Sequence, residues 1–280
     1  MFAAAAEGWN QDHAAASRLR SAGGGRQATG VERAYRAAVA AWQRARLRAP
    51  RLRLTPAKRR AFEARLDAAR EHGVEQALAS TCPYPVHEFL RYLVTEHHYL
   101  LHGSHEPDIA AFEPRPASDL YAFSAQRAVY AASDGIWPMI FAIRDRRPQQ
   151  GTFFNGCSRI VRPDGTTSEP YYHFALAADG LRERPWVPGT IYVLPRETFV
   201  PHPHVEEHGL VCTLEEWASP VAVVPLAKLA ITPPDFPFLE DVWGYDPARL
   251  SGVHTWTDLD HTDPAVFPIR PRGNSLTQPK

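Results

Sequence analysis

Leu101-His102-Gly103-Ser104 ends an apolar run and brings three kinds of chemistry-bearing group into consecutive positions. The imidazole can donate or accept, the glycine backbone can be approached closely because it lacks Cβ, and the hydroxyl can do either. Such a set suits a ligand that carries amide and ribose groups. Further along, Ala128-Val129-Tyr130-Ala131-Ala132-Ser133-Asp134 reads as a second short strand, carrying an aromatic ring and ending in a small residue and an acid. On spacing alone, the first segment is also compatible with a strand, an ordinary Gly-Ser turn and a surface histidine.

Together the two segments resemble the first two motifs of the ADP-ribosyltransferase superfamily, in its poly(ADP-ribose) polymerase and diphtheria-toxin-like branch. The resemblance covers roughly residues 86–232. It implies NAD as co-substrate and no metal. His102 would bind the adenosine ribose, Gly103 would hold the nicotinamide carboxamide through its backbone, and Ser104 would support the nicotinamide ribose. Tyr130 would stack on the nicotinamide. The family also uses a glutamate on a later strand, which steadies the positive charge that develops at the anomeric carbon. Candidates are Glu215 and Glu216, in Cys212-Thr213-Leu214-Glu215-Glu216-Trp217. Adjacent strand residues point to opposite faces, so only one of them can enter a pocket, and Glu216 is preferred. The implied fold is α+β, a pair of small, roughly perpendicular sheets with the NAD cleft between them.

Other constellations carry rival readings. His202, His204, His208 and Cys212 have the chemistry of zinc ligands but no second close pair of ligands. Cys157 and His173 can be read as a nucleophile and its base, but no elbow motif surrounds Cys157, which fits a buried structural thiol. Neither G-x-x-x-x-G-K-[ST] nor G-x-G-x-x-G occurs, which argues against P-loop and Rossmann nucleotide binding.

The elements that must position these residues are legible from periodicity. Val31, Tyr35, Ala38, Trp42 and Ala45 form one helical stripe that runs to about Arg48, before Pro50. Thr55-Pro56 is an N-cap followed by proline at the first helical position, opening a second helix through Phe62 and Leu66. The two predict an antiparallel, basic N-terminal hairpin over residues 30–80. Val86, Phe89, Leu90 and Leu93 mark a third helix, and Trp137–Ile143 a fourth, capped by Asp134. Strands are expected at 128–132, 152–154, 171–176, 190–194, 210–214 and 221–224. Residues 1–29, with Gly23-Gly24-Gly25 and few large apolar side chains, read as a disordered arm. An α+β domain spans 81–245, and 246–280 reads as an irregular tail.

The 280 residues have a formal charge of zero, but residues 1–80 carry 15 Lys and Arg against 7 Asp and Glu, while residues 81–280 carry 16 against 24. A basic front can dock on the acidic body, or residues 31–70 can meet nucleic acid through its phosphates. Three dispersed cysteines and no signal-like or membrane-length apolar segment lead us to expect a soluble, cytoplasmic protein. Two functions are therefore in view. The first is an enzyme that cleaves the nicotinamide bond of NAD and passes ADP-ribose to an acceptor or to water. The second is a non-catalytic binding or regulatory protein, such as a nucleic-acid adaptor acting through its arginine-rich helices.

Overall fold

The computed structural model describes residues 30–72, 82–117, 122–146, 152–250 and 256–271. The expected arm at 1–29, the end of the expected hairpin and the last residues of the tail lie outside the described residues. The fold is α+β, with two six-stranded sheets among the described residues.

The first sheet joins β1 (Leu47–Arg48), β4 (Phe154–Ile160), β5 (Tyr171–Ala177), β8 (Val205–Glu207), β9 (Leu210–Leu214) and β12 (Trp243–Tyr245). Its order is β1-β5-β4-β9-β8, and β12 lies parallel to the far stretch of β5. The second sheet is built from β2 (Leu100–Ser104), β3 (Val129–Ala132), β6 (Gly189–Leu194), β7 (Val200–Pro201), β10 (Glu216–Ser219) and β11 (Ala227–Ile231), all antiparallel. Its order is β11-β6-β2-β3-β10-β7. Between the sheets runs the largest apolar core. It includes Leu101, Ile191 and Val193 from the second sheet, Cys157, Tyr172 and Phe174 from the first, and Met139, Ile140 and Ile143 from the helix Trp137–Ile143.

Among the described residues, five α-helices cover this frame: α1 (Gly30–Arg44), α2 (Pro56–His72), α3 (Val86–His97), α4 (Trp137–Ile143) and α5 (Ala178–Arg182). Thr55 caps α2 as its sequence suggests, its Oγ1 accepting from Lys58 N at 3.2 Å. Asp134 does the same for α4, its Oδ1 accepting from Ile136 N at 2.8 Å and Trp137 N at 2.7 Å.

The N-terminal helices do not make the expected hairpin. Trp42, with Tyr35, Ala38 and Val39, packs α1 onto Ile160, Tyr171, Leu210 and Cys212 of the first sheet. Phe62 and Leu66 of α2 instead enter the central core beside Phe89 of α3, the Phe62 and Phe89 rings lying 5.5 Å apart. Each helix is amphipathic, and each found a larger apolar surface than the other could offer. The first helix also stops at Arg44, short of the expected end, because Leu47 and Arg48 pair with Tyr172 and Tyr171 as strand β1.

Two further expectations need correcting. Residues 221–224 do not form a strand; Val223 makes one isolated bridge to Phe112. The tail is not merely irregular surface, since Trp256, Leu259 and Phe267 are buried against Phe154, Ala175 and Tyr245 of the first sheet.

Close approach of α4 to the second sheet is made possible by glycine. A Cβ at Gly103 would lie 1.9 Å from the backbone oxygen of Pro138, a contact that no side-chain rotation relieves. Gly103→Ala is expected to lower stability by about 2 kcal/mol through overpacking. Gly30→Ala, where a Cβ meets open space, should change it by no more than about 0.5 kcal/mol. Urea denaturation of both variants checks this, and equal stabilities would show that α4 is not held against β2.

Candidate functional site

A cavity of about 770 Å³ lies between the two sheets. His102 and Gly103 of β2, Tyr130 of β3 and Glu216 of β10 all line it, so the arrangement joins four of the five candidate residues. Ser104 does not line it; its Oγ accepts from Glu106 N at 3.1 Å and shapes the turn that leaves β2.

Strand pairing explains the opening. β2 and β3 pair at a single register, Leu101 opposite Ala132, and part beyond it. The imidazole of His102 spans the gap, with Nδ1 2.7 Å from the carbonyl oxygen of Tyr130. A carbonyl can only accept, so Nδ1 carries the hydrogen, which leaves Nε2 as the acceptor of the neutral ring. Burial pushes the His102 pKa down, and Arg146 and Arg115 push the same way, while the Tyr130 bond opposes them. Phe112 braces the ring at 4.6 Å between centroids.

Tyr130 is half-buried, and its hydroxyl donates to Phe123 O at 3.0 Å and Gln126 O at 2.9 Å. The same loop reaches Glu216, because Ser124 Oγ donates to Glu216 Oε2 at 2.5 Å. One short segment therefore orients both the aromatic ring and the acid. Ser124 is buried, and nothing in the sequence singles it out, since its role depends on a strand 92 residues away.

Glu215 and Glu216 go to different places, as strand alternation requires. Glu216 lines the cavity at the start of β10, opposite Ala132. Glu215 is buried where the chain leaves β9 for β10, and thus passes from the first sheet to the second. Its Oε1 accepts from Arg159 Nε at 2.7 Å, and its Oε2 accepts from Ser133 Oγ at 2.6 Å. Burial pushes the Glu215 pKa up, while the Arg159 charge and the Ser133 hydroxyl pull it back.

The walls are aromatic. Trp137 and Phe141 of α4 lie 6.0 Å apart, and Phe153 follows at 5.9 Å from Phe141. Trp137 is fixed by its Nε1, which donates to Asn155 Oδ1 at 2.8 Å. Cys157 is fully buried, and its register partner on β5 is Tyr172, whereas His173 pairs with Gly156. Cys157 and His173 consequently face opposite sides of the sheet, and burial raises the thiol pKa well above its usual value. His202 meets the Phe123 ring, His208 contacts Thr257 O, and Cys212 is buried beside Trp42. Among the described residues, no three His, Cys, Asp or Glu side chains converge as a metal site.

Because Glu215 is more easily protonated in the fold than in the unfolded chain, its contribution to stability falls as pH rises from the ordinary carboxylate value through the folded one. Arg159→Met would raise the folded value further. At pH 7 that variant is expected to lose about 3 kcal/mol, the cost of an uncompensated buried charge. The loss should shrink near pH 4, where the carboxyl takes a proton. Urea midpoints at both pH values test this, and an equal loss at each would contradict it.

No family model, no curated protein and no solved structure matches this chain.

Proposed function

We propose that this protein binds NAD in the cavity between its sheets, cleaves the nicotinamide–ribose bond and transfers ADP-ribose to an acceptor or to water. The observation that carries this reading is the convergence of His102, Gly103, Tyr130 and Glu216, from three separate strands, on one cavity. The sequence resemblance assigns those residues their roles.

The Nδ1–Tyr130 bond leaves Nε2 of the His102 ring as the atom that accepts from a ribose hydroxyl on this reading. Tyr130, held by its hydroxyl, offers a ring on which the nicotinamide stacks. Glu216 supplies the negative charge that favours the oxocarbenium-like transition state as the nicotinamide leaves, and it can orient the attacking oxygen. Electrons of the breaking C–N bond depart with the nicotinamide, whose ring nitrogen becomes neutral. The aromatic walls limit water around the anomeric carbon and so strengthen the electrostatic part of this stabilisation.

A non-catalytic role, with the arginine-rich helices contacting nucleic acid, has less support from the fold. Several of the basic residues are already engaged with the body: Arg46 with Glu207 at 2.7 Å, Lys58 with Glu88, and Arg59 with Glu96 at 2.6 Å. Arg65 is buried, with its guanidinium 4.7 Å from the Phe89 ring.

Incubation with NAD is expected to release nicotinamide and to raise the melting temperature. Glu216→Gln should slow release by about 100-fold while leaving the melting temperature without NAD unchanged. Absence of both turnover and NAD-dependent stabilisation in the parent protein would end this reading.

A further inference from the structure

Arg144 and Arg146 follow α4 directly and line the same cavity. The Arg144 guanidinium lies over the Phe153 ring, with Cζ 4.5 Å from its centroid. That stacking holds the planar group in place. Its Nε is buried without a hydrogen-bond partner, an arrangement that costs energy unless something else accepts from it.

The surroundings add positive charge. Arg146 depresses the proton affinity of Arg144, of His105 and of His102, so its guanidinium acts on all three. Burial is the larger cause in each case. Asp145 opposes the effect at Arg144, and Arg144 forms no ion pair among the described residues. Like charges gathered at the wall of a cavity repel one another, and an anion in that cavity relieves the repulsion.

We infer that Arg144 and Arg146 form an anion subsite for the phosphate groups of the ligand, beside His102. On the NAD reading, on which this assignment of the ligand rests, the subsite takes the diphosphate. The guanidinium fork matches phosphate oxygens two at a time, whereas a lysine at either position would offer only a point charge. Electrostatic attraction of this kind weakens with salt.

The test uses the full chain with three probes: inorganic pyrophosphate, NAD, and nicotinamide riboside, which lacks phosphate. Arg146→Gln changes an exposed residue and should fold normally; Arg144→Lys keeps the charge but loses the fork. Titration calorimetry should show pyrophosphate binding to the parent protein that weakens at least tenfold in each variant and falls with added salt. KM for NAD should rise by a similar factor with kcat little changed, and nicotinamide riboside should be handled alike by all three proteins. Pyrophosphate binding that is lost in the variants, with no binding of NAD by the parent, would sustain the subsite and defeat the NAD reading. Failure of the parent to bind pyrophosphate, or NAD turnover with the same KM in parent and variants, would overturn the subsite itself.

Discussion

At Glu215 the chain passes from one sheet to the other, and the side chain is bonded to both. Arg159 on β4 belongs to the first sheet, and Ser133 follows β3 of the second. The backbone at the same residue repeats the link, with Glu215 N donating to Cys157 O at 3.0 Å and Ser133 N donating to Glu215 O at 2.9 Å. Burying a charged pair is costly, and the net stability gained is small compared with the loss on removing one partner. What the arrangement secures is position. Asp134 adds a second tie one residue beyond Ser133, its Oδ2 accepting from Tyr172 OH of the first sheet at 2.8 Å while its Oδ1 caps α4. The wall helix, the end of β3 and the start of β10 are thereby registered against the first sheet at one corner of the cavity.

From that corner the division of labour between two adjacent glutamates follows. Alternation sends their side chains to opposite faces, and the face that meets Arg159 is spent on structure. Glu216 is left for the cavity. Gly103 is similarly double in purpose. Its missing Cβ is first of all what lets Pro138 approach β2, so a backbone that is open to a ligand on one side is closed by a helix on the other. The opening toward a ligand is legible from the glycine itself, whereas the contact with Pro138 depends on where α4 packs.

Features decided by near neighbours were legible in the sequence. The Thr55 and Asp134 caps, the β5, β6 and β9 strands and the third helix depend on side chains within a few residues. The alternation of Glu215 and Glu216 is equally local. What could not be read is what depends on the partner surface. A two-helix stripe pattern does not say whether the stripes meet each other or two different faces of a larger body, and here the body won. Leu47–Arg48 is too short to announce itself as a strand, and gains its identity only from β5. Ser124, Arg144 and Arg146 are ordinary residues in sequence, and become cavity residues because two sheets and α4 close around them.

Charge is distributed unevenly within the cavity. Glu216 lies on β10, while the guanidinium groups lie past the end of α4, where Arg146 acts on His102. A uniformly anionic ligand would meet repulsion from the carboxylate, and a simple cation would meet it from the arginines. The ligand that satisfies both ends is dipolar, with positive charge near one end and phosphate toward the other. NAD has that pattern, its cationic nicotinamide ring standing apart from its diphosphate. As the glycosidic bond breaks, positive charge passes from the nicotinamide ring to the ribose, so a fixed carboxylate beside the ribose gains strength as the reaction proceeds, whereas the phosphate contacts are the same before and after. On that reading the arginines contribute uniform binding and Glu216 the difference between ground state and transition state, which is the part that accelerates a reaction.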